Sequence, residues 1–562
     1  MEKLPWLIRL FQGNRWQPFL LAAICYPLAL RGFQQFLASG STAFEWPALD
    51  MALYFERAAD PDFLRGDFFT EASAAPNPRH VFGKLVLSSG ALLGWGWYQV
   101  LFGMKLLCAL AFPPLYFLTT WRLTADRFRS WQGSLVAICV AVLGIVLIVS
   151  TRLGEYLSVA WFKPYKVDAT PQSLSLLIGM TGVILVAESG AVLFAAGLGL
   201  LALSCLIHPA IGIFLAAVVI LSRVGITSRP RLAMVGMTAF LAGMAVSLMF
   251  PPDLKINAAE FVRTYVVERH PSHYLPSAFG TLTSWPWYRS FTVVTMCMIL
   301  PLVYFARRRD LARFAPAALF TAAYTGSLAA QWFFVVVFPV KQVAVLGPIR
   351  FTIFGYLMVV MGWSMMLADA ADAMSGRWVF SVPVGRQARP FPVWPVTGLV
   401  LAAVVLVTSI LSPVLIDDPE SRVTRHYGGL FKWIASTPEK STFAVYPGYL
   451  NLFLPVFTRR PVYANNGFPF REDFFAEYTD RYARLYGSAA QLKEISGSWT
   501  GARSAAFYRS RTPADFMEAS RKHRLDFVIM EKDHAGRFAG LRPVYQDERV
   551  LIYPLGGQEA FR

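Results

Sequence analysis

An all-α polytopic membrane protein of about eleven transmembrane helices, with a small C-terminal α/β domain outside the membrane, is the fold class that the sequence predicts. Three observations point to it. Mean hydropathy is +0.45. Charged residues are only 15% of the chain, against about a quarter in soluble domains. Apolar runs long enough to cross a bilayer recur from Pro18 to Ile416.

The runs fall near 18–37, 98–120, 133–151, 173–187, 190–206, 208–223, 234–250, 291–306, 314–337, 349–370 and 395–416. The first is too long, and lacks the small-residue cleavage site, to be a removable secretory signal, so it is expected to stay as a span. The runs 173–187 and 190–206 are short, and a re-entrant pair is an alternative reading for them. Orientation follows from Lys and Arg in the short loops. Arg122, Arg127 and Arg129 fill one loop, Arg223, Arg229 and Arg231 a second, Arg307, Arg308 and Arg309 a third, and Arg377, Arg386 and Arg389 a fourth. Eleven spans put all four on the side of the N-terminus, with its Lys3, Arg9 and Arg15.

That side is expected to be the cytoplasm, and the membrane a bacterial inner membrane. The transmembrane domain is 1–416, with large outward loops at 38–97 and 252–290, and the domain 417–562 is expected to be periplasmic. The region from Met374 to Pro395 reads as a mobile cytoplasmic loop. The net charge of +17 is partly this loop bias, so no nucleic-acid partner is inferred. All five cysteines lie in apolar runs, which excludes a disulfide framework and a Cys-based metal site in the outer domain.

Within 417–562, Phe443–Tyr446, Pro461–Tyr463, Phe527–Met530 and Val550–Tyr553 are rich in β-branched and aromatic residues and read as short strands. Ala476–Tyr486 and Pro513–His523 have helical periodicity, with Thr512 as N-cap before Pro513. Strands alternating with helices predict a small sheet with helices on one side.

Candidate chemistry begins in the first outward loop. Asp50 lies just beyond the first span, where a carboxylate can take a proton from an acceptor hydroxyl as a general base; a solvated acid, or one paired with Arg57, is the plain alternative. Asp50, Tyr54 and Arg57 stand at i, i+4 and i+7, one face of a helix. Asp60-Pro-Asp62 has the form of a two-carboxylate cation site, but such pairs more often shape turns. With no stronger motif, no metal and no cofactor is expected. Asp67, after Gly66, suits either the site or a helix cap.

The second outward loop holds Arg269, His270 and His273, a set suited to a phosphate more than to a metal. His208 sits between two apolar runs, where an ionisable group is a functional candidate, although it can also satisfy backbone freed by Pro209. Lys341 is expected to snorkel to the interface, whereas Arg350 opens an apolar run and suits a bidentate phosphate clamp. Trp95, Trp97 and Tyr98 read as an interfacial belt. No phosphate loop, nucleophile elbow or HExxH helix is present, which argues against a cytosolic nucleotide donor.

The plan of an inward N-terminus, one span, a long outward loop with an acidic residue, further spans and an outward α/β domain resembles the GT-C class of membrane glycosyltransferases. The matching element is Asp50 in Pro47-Ala-Leu-Asp50-Met-Ala-Leu-Tyr54. Where many class members have adjacent acids, Met51 follows here. The chain also resembles a bacterial group of polytopic membrane proteins through Pro61-Asp62-Phe-Leu-Arg-Gly66-Asp67. The resemblance implies transfer of a sugar from a polyprenyl-phosphate carrier to a lipid or glycan acceptor on the outer face. Asp50 would be the base, and Tyr54, Arg57, Asp67, His208, Arg269, His270, His273 and Arg350 would line the substrate site. A flippase for lipid-linked glycans and a non-enzymatic envelope scaffold are the alternatives.

Overall fold

The computed structural model describes residues 17–38, 51–127, 131–150, 169–188, 190–250, 256–269, 286–374, 379–384, 387–392, 419–465, 471–493, 500–538 and 540–555. Ten of the eleven apolar runs coincide with helices; 395–416 lies outside the described residues. In order, α1 is Gln17–Ala38, α2 Ala52–Ala59, α3 Phe68–Ala74, α4 His80–Leu93 and α5 Trp97–Thr124. There follow α6 Trp131–Ser150, α7 Pro171–Val186, α8 Ala191–Ile207, α9 Pro209–Arg223 and α10 Arg229–Met249. The short α11, Ala258–Phe261, runs into a π-helical turn, Val262–Arg269. Next come α12 Pro286–Arg308 and α13 Leu311–Gln331, which ends in a second π-helical turn, Trp332–Val337. Then come α14 Lys341–Leu346, a 3-10 turn Pro348–Phe354 and α15 Gly355–Met374.

Among the described residues, five helical stretches are long and apolar enough to cross a bilayer: Trp97–Arg127, Arg229–Met249, Phe291–Arg308, Leu311–Val337 and Lys341–Ala373. The protein is thus a polytopic helical membrane protein.

Small residues set the helix spacing, as expected where lipid supplies no hydrophobic drive between helices. A Cβ at Gly32 of α1 would fall 1.8 Å from the Ala109 carbonyl oxygen of α5. On α7 and α8, the hydroxyls of Ser175 and Ser204 lie 2.8 Å apart and each also donates to the other's carbonyl side. A Cβ at Gly197 would meet the Val186 backbone nitrogen at 2.7 Å, while one at Gly199 would meet nothing. Gly197→Val is therefore expected to cost about 1–3 kcal/mol by overpacking, read as a lower unfolding temperature in detergent. Gly199→Val is expected to leave it unchanged, and equal effects from the two would refute this account.

The arginine-rich loops meet on one face. Arg122 ion-pairs with Glu188, and Arg223 with Asp126 at 2.7 Å. Arg127 donates to the Ser222 carbonyl at 2.5 Å. Arg313 holds Asp310 at 2.9 Å and Asp369 at 2.6 Å, and the Tyr304 hydroxyl donates to Asp369. Leu174 of α7 and Ile207 of α8 belong to a buried cluster shared with the α/β domain, while Glu188, between the two helices, pairs with Arg122. The region read as a loop after α15 instead forms an antiparallel hairpin, β1 Val379–Val384 with β2 Gln387–Pro392. Val and Phe in the first of these strands favour the extended conformation.

On the opposite face sits the α/β domain: α16 Pro419–Ser436, β3 Phe443–Ala444, α17 Tyr449–Thr458, α18 Phe475–Tyr486, α19 Ala489–Lys493, α20 Thr500–Ser510, α21 Pro513–Lys522, β4 Phe527–Glu531, β5 Tyr545–Gln546 and β6 Val550–Pro554. Three of the four expected strand segments are strands of the sheet, and the fourth, Pro461–Tyr463, meets it only through an isolated bridge. The order of the sheet is β3-β4-β6-β5, with Val462 bridging β3 in parallel on the outer side. β3 and β4 are parallel, and β6 is antiparallel to β4. Thr512 caps α21 as expected, in a capping box with Asp515.

The helices lie on both faces of the sheet, not on one. Phe443, Phe527, Ile529 and Ile552 pack with α16 and α17, while Ala444, Val528, Met530 and Tyr553 pack with α18, α20 and α21. The reason is the strand order: from β3 the chain moves to Val462 on one side, then back across to β4 on the other, so successive crossovers cover opposite faces. Both cores extend into the membrane domain. The first takes in Met51, Phe55, Phe82, Leu101 and Ile207, and the second Phe63, Phe69, Phe261, Val335 and Ala344.

Candidate active site at the domain-bearing face

The loop after α1 is built around α2. Its Leu53 and Phe55 are buried, and Phe55 stacks on Trp97 at 5.2 Å between ring centroids. Trp97 Nε1 donates to Glu56 at 3.1 Å, tying α2 to the start of α5. Trp97 is thus engaged in packing and not only in an interfacial belt, while Trp95 is 48% exposed. Burial holds the Glu56 carboxyl above its ordinary pKa.

The helix starts at Ala52, with Met51 at its N-cap. Asp50 lies outside the described residues, as do His270 and His273, and the side chain of Arg269 lies outside them too. Tyr54 and Arg57 serve different neighbours. The Tyr54 ring stacks on buried His80 at 4.2 Å and covers Gly83, where a Cβ would fall 2.4 Å from it; burial raises its hydroxyl pKa. Arg57 donates to the Phe63 carbonyl at 2.9 Å and pairs with Glu71 at 3.1 Å, bracing the turn that follows. Glu71 also accepts from Gly66 N.

The remaining acids shape the loop. Asp60 accepts from Asp62 N at 3.0 Å and ion-pairs with Arg459 of the α/β domain; Asp62 lies 3.5 Å from Arg65. Among the described residues no group of three or more His, Cys, Asp or Glu is placed to hold a metal. Asp67 is the N-cap of α3, accepting from Thr70 N and Thr70 Oγ1, both at 2.9 Å. Burial raises its pKa and the Thr70 bonds oppose the rise.

His208 closes α8 and caps α9, with Nδ1 accepting from Ile211 N at 3.4 Å. Ile207, beside His208, shares a buried cluster with Phe82 of α4, three residues after Arg79, and Phe351, beside Arg350, meets Phe214 of α9 at 5.7 Å between ring centroids. Arg350 lies in the 3-10 turn before α15 and donates to the Val345 carbonyl at 3.2 Å. Arg79 is the N-cap residue of α4, its backbone N–H donating to Asn77 Oδ1. Arg79 and His208 are the N-cap residues of α4 and α9, whose N-termini add positive potential of their own, and Arg350 stands in the 3-10 turn packed against α9. The cluster is suited to an anion carrying more than one oxygen.

Sequence reasoning selected His208 and Arg350 but missed Arg79. Lys341 does not snorkel: it donates to the Ile256 carbonyl at 3.2 Å, ion-pairs with Glu472 and lies over the Phe261 ring at 5.6 Å. A cavity lined by Arg127, Ser222, Met298, Pro316, Phe320 and Met361 lies towards the arginine-rich face, with room for about one water, so it is not the site sought.

No family model and no curated protein matches the chain. Among solved structures, it is similar to ArnT from Cupriavidus metallidurans in the apo state, at 13% identity and a TM-score of 0.39, covering 97% of this chain and 98% of that one. It is similar to ArnT from the same organism bound to undecaprenyl phosphate at the same identity and TM-score, covering 97% and 99%. What the fold and the site define is a multi-pass membrane protein whose α/β domain is docked on the face that gathers Arg79, His208 and Arg350.

Proposed function

We propose that the protein is a GT-C-type membrane glycosyltransferase that moves a sugar from a polyprenyl-phosphate carrier to a lipid or glycan acceptor, on the face bearing the α/β domain. The observation that carries this reading is that Arg79, His208 and Arg350 lie on elements packed together through Phe82, Ile207, Phe214 and Phe351, two of them at helix N-caps. Cations aimed at a departing phosphate stabilise the charge that develops as the glycosidic bond breaks. Asp50 is the base that takes the acceptor proton. The gathering of the arginine-rich loops on the opposite face supports an inner-membrane topology with the N-terminus in the cytoplasm and the α/β domain in the periplasm.

Binding of a polyprenyl phosphate to the purified protein tests the reading. Arg350→Ala and Arg79→Ala are each expected to weaken it by roughly tenfold or more, the size of a lost charge-assisted hydrogen bond, with unfolding temperatures unchanged. Undiminished affinity in the double variant would overturn the phosphate site.

A further inference from the structure

We propose that the paired hydroxyls of Tyr427 and Tyr446 hold the sugar of the carrier-linked donor from the α/β-domain side; this rests on the glycosyltransferase reading above. Tyr446 follows β3, Tyr427 lies on α16, and their hydroxyl oxygens are 2.5 Å apart. Phe443, Ala444 and Val445 are buried, whereas Tyr446, Pro447 and Gly448 are only half-buried, so the chain comes to an accessible surface just past the strand.

Topology makes that surface an opening. β3 runs parallel to Val462 on one side and to β4 on the other, and the chain leaves it in one direction and returns on the other. In α/β sheets, ligands bind outside the carboxyl ends of the strands at such a switch point. This end of the sheet faces the membrane domain. Val445 shares a buried cluster with Met51, Phe82 and Ile207, and both tyrosines pack against the same cluster. Glu472 pairs with Lys341 at this end too. At Gly448 φ is +154°, and no atom of the described residues stands within 4 Å of where its Cβ would be.

The other tyrosines at this end serve the sheet itself. Tyr486 and Tyr508 are fully buried. The Tyr486 hydroxyl lies 2.6 Å from the Val445 carbonyl and 3.2 Å from that of Ala464. The Tyr508 hydroxyl lies 2.7 Å from the Ile529 carbonyl and 3.1 Å from that of Ala444. Each closes a gap between neighbouring chain segments. The Tyr427–Tyr446 pair bonds to no carbonyl among the described residues. A tyrosine hydroxyl carries one proton and two lone pairs, so the pair, after its own bond, keeps one proton to give and lone pairs to receive. A sugar hydroxyl likewise gives and receives, whereas a phosphate dianion only receives and an isoprenoid does neither.

The test measures binding of bare polyprenyl phosphate, and of polyprenyl phosphates carrying glucose, galactose, mannose or arabinose, to the full protein in detergent. Tyr427→Phe/Tyr446→Phe keeps both rings and removes both hydroxyls, a swap that costs a fold little when the two partners go together. It should weaken binding of the sugar-bearing carrier that the wild type prefers by about tenfold, the size of one or two lost hydrogen bonds. The bare carrier and the unfolding temperature should be unchanged. Tyr508→Phe should do the reverse, lowering the unfolding temperature and leaving the preference among carriers intact. If the double variant weakens both kinds of carrier equally or neither, or if Tyr508→Phe shifts the preference as much, the pair is internal packing and the proposal is wrong. It is wrong too if the wild type binds the bare carrier but none of the sugar-bearing ones. If the wild type binds no carrier at all, the glycosyltransferase reading itself falls.

Discussion

Asp50→Asn is expected to lower sugar transfer by about 10²–10⁴-fold, the usual worth of a positioned general base, while polyprenyl-phosphate binding stays intact. Asparagine keeps the size of the side chain and removes the basicity, so binding and chemistry separate. The expectation draws its force from how firmly the next residues are held. Met51 is buried at the N-cap of α2, and its terminal methyl and the Tyr54 ring both crowd the Cβ position of Gly83 on α4. Phe55 and Glu56 fix the same helix to Trp97. Glu56→Gln is the comparison to run beside it, because Glu56 is a second partly buried acid of the same loop. Transfer retained by Asp50→Asn and lost in Glu56→Gln would assign the base to Glu56.

The helical plan was legible because apolar length and loop arginines are one-dimensional signals. Arg122, Arg223 and Arg313 meet their acids on one face largely because positive loops must share a side. The strands of the α/β domain were legible for the same reason, as Val, Ile and Phe cluster where a strand is covered on both faces. What covers those faces was not legible, since the order Val462-β3-β4 is set by crossovers that no local pattern records. The acids of the first loop divide in the same way. Asp67 followed by Thr70 is a local cap, readable from spacing, whereas the Asp60 partner Arg459 stands 399 residues away. Arg79 was missed because the turn before α4 has no periodicity to mark it, and its meaning comes from His208 and Arg350, which only the fold brings near.

Lys341→Met is expected to destabilise the docking of the α/β domain by about 3–5 kcal/mol, the cost of leaving one member of a buried ion pair alone. The Lys341 and Glu472 side chains are only 12% and 7% exposed, and the second bond of Lys341, to Ile256, brings the segment before α11 into the same joint. Removing the ammonium takes from the buried Glu472 carboxylate the cation that faces it, and the carboxylate must then either stay charged without that cation or take up a proton. Lys341→Met/Glu472→Leu removes both charges and keeps apolar volume, so it is expected to recover most of the loss, since a buried pair replaced by packed apolar groups is often neutral. The exposed Asp60–Arg459 pair makes the useful contrast: its partners are solvated, so Arg459→Met should change little. Limited proteolysis between the last span and α16, together with the apparent unfolding temperature, reads the docking. Lys341→Met should speed cleavage and lower that temperature by several degrees, and the double variant should restore both. If single and double variants behave alike, the joint is held by its apolar contacts with Phe261 and Ala344, and the ion pair serves only to set its register.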